Sequence, residues 1–175
     1  MPERNPRSPP IPNAHWRRWL WLTAAVIASD QLAKAAVLTS FKEGEGWPVT
    51  GFFSMVLTFN TGAAFSFLAS ESGWQRWLFA AIAVGAAVLI VTLLRRGGGA
   101  LYCAGLALIL GGALGNLYDR LALGKVVDFL LFHYAAWTYP AFNIADSAIT
   151  IGAALVIVDS FRRRHRDPAG AAKGI

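Results

Sequence analysis

The sequence predicts an α-helical integral membrane protein of four transmembrane helices, with a small β-sheet on the outer membrane surface between the first and second helices. Three observations predict it. Of 175 residues 55% are hydrophobic and only 15% charged, more apolar surface than a water-soluble domain of this length can cover. Four apolar runs approach or exceed the roughly 20 residues that a bilayer-spanning helix requires. The net charge of +6 gathers at the ends of those runs, which reads as membrane orientation and argues against a nucleic-acid partner.

Residues 1–15 are rich in proline and arginine with little to bury, and read as a disordered basic tail on the inner side. Trp16-Arg17-Arg18-Trp19 anchors the entry of the membrane domain, expected over 16–161. The first span covers 19–38. A basic start before an apolar core also describes a secretory signal, but Asp30 and Lys34 interrupt it and more spans follow, so it reads as an uncleaved helix. Asp30 and Lys34 stand four apart on one helix face and can pair, which lowers the cost of placing either in lipid. At 1.5 Å per residue Asp30 lies roughly 18 Å beyond Arg18, in the far half of the bilayer. This polar pair either orients the helix or takes a direct part in chemistry.

The stretch Gly51 to Ser70 carries no charge and is long enough to be a span. Phe53, Met55, Leu57 and Phe59 alternate with Ser54, Val56, Thr58 and Asn60, however, and that period of two favours a strand. A fifth span would also put the arginine-rich C-terminus on the opposite side from the arginine-rich N-terminus. A sheet over about 41–68 is therefore expected. The second span covers 74–94 and closes on Arg95-Arg96 and Gly97-Gly98-Gly99; the third covers 100–118 without a charge. Gly111 and Gly115 form a G-x-x-x-G that lets another helix come close. Asp119 and Arg120 read as a salt bridge at a helix end, 121–138 as an outer loop carrying Asp128, 139–158 as the fourth span, and 162–175 as a basic inner tail.

With both termini inside, eleven of the sixteen Lys and Arg residues fall on the inner side, as the positive-inside rule requires. Asp119, Arg120, Asp128, Asn143 and Asp146 then gather at the outer face. No internal repeat suggests a transporter of two inverted halves. Cys103, the single cysteine, lies in an apolar run and reads as a small buried hydrophobe.

Hydrolase signatures narrow the chemistry. There is no H-E-x-x-H and no G-x-S-x-G, and of three histidines two lie in inner flanks, so neither a metal nor a Ser-His-Asp triad is expected. A serine-lysine dyad would need Lys34, which already has Asp30. Asp159 reads as a counter-charge to the inner arginines. Asp128 and Asp146 have only Lys125 as a basic residue within four positions, so burial and each other would tune them. At about 4 Å and an effective dielectric of about 20 their repulsion is on the order of 4 kcal/mol. That is about three pKa units, enough to lift one carboxyl from about 3.9 to near neutrality. The pair would share a proton, one member taking a proton from an attacking water and the other giving one to a peptide carbonyl. The alternative is a small proton-coupled transporter or channel that uses the same carboxylates as a relay; a non-catalytic adaptor is a third reading. Asn60, Asn116 and Asn143 fall at outer ends, suited either to bind a substrate backbone or to cap and join helices.

Five blocks in order, Ser29-Asp30-Gln31-Leu32-Ala33-Lys34, Asn60-Thr61-Gly62-Ala63-Ala64-Phe65, Gly111 to Arg120, Val126-Val127-Asp128-Phe129 and Phe142-Asn143-Ile144-Ala145-Asp146-Ser147, resemble the bacterial lipoprotein signal peptidases, or signal peptidase II. The resemblance implies an aspartyl endopeptidase of the inner membrane, with a periplasmic sheet and both termini cytoplasmic. It would act on lipid-modified prolipoproteins within membrane lipid, as a monomer without cofactor, cutting before a cysteine that carries diacylglycerol. Asp128 and Asp146 match the catalytic aspartates; Asn60, Gly62, Asn116, Arg120 and Asn143 match positions lining the site; Asp30 and Lys34 match the polar pair of the first helix. Phe53, Phe59, Phe65 and Phe67 are expected to form an apolar cradle facing the substrate's lipid.

Overall fold

The computed structural model describes residues 14–62 and 73–166. A 3-10 turn, Ala14–Arg18, leads into α1 (Trp19–Ser40), followed by β1 (Gly46–Pro48), β2 (Phe53–Asn60), α2 (Gln75–Arg96), α3 (Ala100–Leu123), β3 (Val126–Tyr134), β4 (Trp137–Thr138) and α4 (Ile144–Arg166). All four α-helices are long and apolar enough to cross a membrane. Phe65, Phe67 and the remainder of the expected sheet beyond residue 62 lie outside the described residues. So do the expected tails, apart from 14–15 and 162–166, which continue the flanking helices.

α3 is the central helix, and it packs against the other three. Towards α2, Leu106 and Leu110 join Ile90 and Leu94 in an apolar core that Trp16 and Trp19 cover from the end where α1 begins. Towards α1 and α4 its side chains shrink to glycine. A Cβ on Gly111 would stand 2.7 Å from Val26 Cβ of α1, and one on Gly115 would stand 2.8 Å from the Asp30 carboxylate. The G-x-x-x-G thus faces α1. One residue round, Gly112 lies against the backbone carbonyl of Ala145 at the start of α4, and further down Gly105 and Gly152 meet backbone to backbone. In lipid, where apolar side chains gain little by burial against one another, such close approach supplies the packing that joins helices.

The sheet has the order β1-β2-β3-β4, antiparallel throughout, so half its strands come from the connection between α3 and α4. The stretch 121–138, expected as an outer loop, instead completes α3 to Leu123, turns at Gly124 (φ 77°) and becomes β3 and β4. β3 runs from Val126↔Asn60 to Phe132↔Phe53 along β2. It shows no alternation in sequence because both of its faces are covered over Val126–Phe129. Val127 and Phe129 pack with Val37 of α1 and Leu57 of β2, while Asp128 is 3% exposed on the other face. In β2 the register shifts between Met55 and Thr58, where two residues oppose Phe129, so the alternation read in the sequence is interrupted by a bulge.

α4 begins at Ile144 rather than at 139. Tyr139 N bonds Phe132 O, and Phe142 exchanges backbone bonds with Leu130, so the residues before Asn143 run extended beside β3. Pro140 favours this, since the residue ahead of a proline is pushed out of the helical region.

Gly112→Ala would place a methyl against the Ala145 carbonyl and push α4 from α3. We expect a loss of about 1–3 kcal/mol, as for other overpacked contacts, measured by unfolding of the purified protein in detergent.

Candidate active site

One layer behind the two candidate aspartates lies Lys34. Its ammonium is 2.7 Å from Asp30 Oδ2, 2.8 Å from Asp119 Oδ2 and 2.9 Å from Asn116 Oδ1, and the lysine is 2% exposed. Three donors meet three acceptors. The carboxylates' other bonds reach into two further elements: Asp30 Oδ1 accepts from Ala145 N at the start of α4, and Asp119 Oδ2 accepts from Val127 N in β3. Gln31 donates to both acids. The pairing of Asp30 with Lys34 read in the sequence is present. Asp119 does not pair with Arg120 as expected, because consecutive helical residues point about 100° apart; it turns inward to Lys34.

An ammonium has no acceptor, so the Asn116 amide must present its oxygen to Lys34 and its nitrogen elsewhere. That nitrogen donates to Asp146 Oδ1 at 2.8 Å. Asn143 is oriented by the same chain of contacts: its Nδ2 donates to Asp128 Oδ1 at 2.7 Å and lies 3.2 Å from Asn116 Oδ1. Its Oδ1 accepts from Asp146 N at 2.9 Å, and its own N–H donates to Asp146 Oδ2 at 3.3 Å. Asn143 and Asp146 thereby form a reciprocal capping box that starts α4. One asparagine holds both aspartates.

The remaining side comes from β2 and its exit. Asn60 hydrogen-bonds Asp128, to which it is brought by the register Thr58↔Asp128, and its Oδ1 accepts from Gly62 N at 2.9 Å. Arg120 Nη2 donates to Gly62 O at 2.9 Å, and its guanidinium lies over the Phe79 ring. Asp128, Asp146, Asn60, Gly62, Asn116, Arg120 and Asn143 are therefore joined in one network, with Asp30 and Lys34 directly behind it. Burial, and next the charge of Asp146, push the Asp128 carboxyl up to about 7. Both causes are those read from the sequence, burial and the second aspartate, and desolvation is the larger.

Other candidates fall away from this centre. Ser147 donates to Asn143 O and Ser29 to Val26 O, so neither faces Lys34 as a dyad would require. Asp159 pairs with Arg163 at 2.6 Å near the C-terminal end of α4. Of the expected phenylalanine cradle, Phe53 packs on Phe132 and Phe59 lies under the Lys125 ammonium. Among the described residues no three His, Cys, Asp or Glu side chains are grouped to hold a metal. Sequence reasoning missed Gln31 and the inward role of Asp119; the Asn-x-x-Asp spacing of Asn143 and Asp146 was a legible capping signal for the start of α4.

Fold and site define a polytopic membrane protein whose acid pair has the composition of a hydrolytic centre. The chain matches the family model described as signal peptidase (SPase) II over residues 22–162. It is 56% identical over 149 residues to the lipoprotein signal peptidase of Ralstonia nicotianae, covering 85% of this chain and 86% of that one. It is also 56% identical over 146 residues to that of Burkholderia cenocepacia, covering 83% and 88%. Two solved structures, each described as a bacterial membrane enzyme, superpose with TM-scores of 0.77 and 0.74 at 26% and 28% identity. They cover 91% and 85% of this chain, and 94% and 95% of their own. The chain belongs to the signal peptidase II family and is a membrane-embedded peptidase; nothing in these findings favours transport.

Lys34→Met leaves Asp30 and Asp119 buried without their cation. We expect a loss of about 3–5 kcal/mol, the usual result of breaking a buried ion pair from one side, measured by thermal unfolding in detergent. Lys34→Arg should recover little of it, since a planar guanidinium does not fit a three-acceptor point site.

Proposed function

We propose that the protein is an aspartic endopeptidase that removes the signal peptide from diacylglyceryl-modified prolipoproteins, cutting before the lipidated cysteine, with Asp128 and Asp146 as its catalytic pair. The observation that carries this reading is the shared asparagine: Asn143 donates from its side chain to Asp128 and from its backbone to Asp146. Two carboxyl groups held to one residue lie in each other's field, and at neutral pH they retain one proton between them. The ionised oxygen takes a proton from water as that water attacks the peptide carbonyl. The protonated carboxyl donates to the carbonyl oxygen; the other, now carrying the water's proton, passes it to the departing amine, and the first regains its proton as the tetrahedral diol collapses to the carboxylic acid. Neither a metal nor a covalent enzyme intermediate enters these steps.

Asn60, Asn116 and Asn143 orient the carboxylates, and Arg120 steadies Gly62 at the exit of β2, where a substrate backbone would pass. The site sits at the end of the helices away from Arg95-Arg96 and Arg162-Arg163, since α3 starts at that arginine-bearing end and α4 finishes there. With the positive-inside rule this supports a bacterial inner membrane protein with cytoplasmic termini and a periplasmic site. A substrate with an apolar signal helix would then reach the pair sideways from the bilayer.

Purified Asp128→Asn and Asp146→Asn proteins, each shown to be folded, should leave a diacylglyceryl prolipoprotein uncut over times in which the parent cuts it fully; full cleavage by either removes the pair from the mechanism. The alkaline limb of the pH profile also has a direction. Because Asp128 titrates near 7, its proton is present below that value and leaves above it. Cleavage measured as kcat/KM should therefore fall about tenfold per pH unit once pH exceeds about 7, as the shared proton is lost. A rate that rises through pH 8 would contradict a shared proton.

A further inference from the structure

A groove of about 510 Å³ opens beside Asp146, between the outer face of α4 and the strand segment that precedes it. One wall is a run of rings. Phe132 stacks on Phe142 at 5.8 Å, Tyr139 meets Phe142 edge-on at 6.0 Å, and Trp137 lies 6.2 Å from Tyr139. The floor is α4, where Ser147 and Thr150 are polar by composition only. Ser147 Oγ donates to Asn143 O and Thr150 Oγ1 to Asp146 O, each one turn back, which leaves their carbon atoms towards the groove. Ile151, 54% exposed, closes the far end. An apolar trough thus ends at one candidate catalytic carboxylate.

Its size selects among occupants. A helix with its side chains is about 10 Å across, so this volume admits barely one turn of a signal helix. It does admit roughly 16 methylene groups, taking each as about the 30 Å³ of a water molecule. Position agrees with this: Ile151 lies about 10 Å along α4 from Ile144, inside the span, so the trough runs from the level of the sheet into the hydrocarbon.

We propose that this groove seats one acyl chain of the substrate's diacylglyceryl group and sets the enzyme's preference for chain length. The inference rests on the reading of the protein as a prolipoprotein peptidase. Because the chain passes from lipid to protein, burial from water contributes little; selection comes from the fit of the chain against rings and helix. The lipidated cysteine would lie at the Asp146 end, its chain directed along α4 towards Ile151.

The test compares two synthetic prolipoprotein peptides, S-dipalmitoylglyceryl and S-dibutyrylglyceryl, with the wild-type protein and Ile151→Trp, which fills the trough. The ratio of kcat/KM for the long over the short substrate should fall about tenfold in the variant, the scale on which pockets discriminate by methylene groups. An unchanged ratio overturns the groove while leaving the peptidase intact, whereas a wild-type protein that cuts neither peptide overturns the peptidase reading and the groove with it. Should the tryptophan variant cut neither, labelling decides. Asp128→Asn protein incubated with a substrate bearing a diazirine at the acyl terminus should be labelled in β3–β4 or at 147–151, and labelling confined to α1 or α2 overturns the proposal.

Discussion

Lys34 carries an ammonium group to a depth that water does not reach, and Asp30, Asp119 and Asn116 take up all three of its protons. Each of those acceptors belongs to a different demand of the structure. Asp30 also ties down the first turn of α4, Asp119 ties down β3 at Val127, and Asn116 has its amide turned so that its nitrogen points to Asp146. A single charge thereby fixes where two elements begin and which way an uncharged amide faces. Without it, two carboxylates would stand buried at the junction of α1, α3, α4 and the sheet, where ionisation is costly.

The candidate catalytic pair depends on this junction but is held differently from it. Asp30 and Asp119 are in direct contact with a full positive charge; Asp128 has amides as its direct hydrogen-bond partners and is lifted to about 7 by burial and by Asp146. Two kinds of buried acid thus sit side by side, one paired with a cation to hold the fold and one left able to keep a proton. Asn143 separates the roles, since it caps α4 through Asp146 while it donates to Asp128. The capping box explains how a carboxylate tolerates partial burial at the start of a span: the helix N-terminus supplies both a donor and a favourable dipole.

The small residues of α3 make this geometry reachable. Gly112 and Gly115 allow α4 and α1 to approach until the Asp30 carboxylate touches the first turn of α4. That closeness was legible in sequence as a G-x-x-x-G, but its partner was not, because a glycine pattern names a face and not the helix that fills it. β3 illustrates the opposite difficulty. Its residues are strand formers, yet burial on both faces erased the alternation that would have announced them. Asp119 was misread for a third reason: adjacency in sequence suggested Arg120, whereas the helix turns neighbours apart.

By itself the sequence determined the solvent, the number of long apolar helices, and which polar residues were too expensive to bury without purpose. Those properties follow from local composition, run length and the placement of charge, none of which needs a partner. Only the tertiary structure decided that half the sheet arises between α3 and α4, that Lys34 serves Asp119 as well as Asp30, and that an aromatic trough leads to Asp146. Each is a contact between segments far apart in the chain, where partner choice depends on packing and hydrogen-bond supply at one point in space rather than on any spacing along the chain.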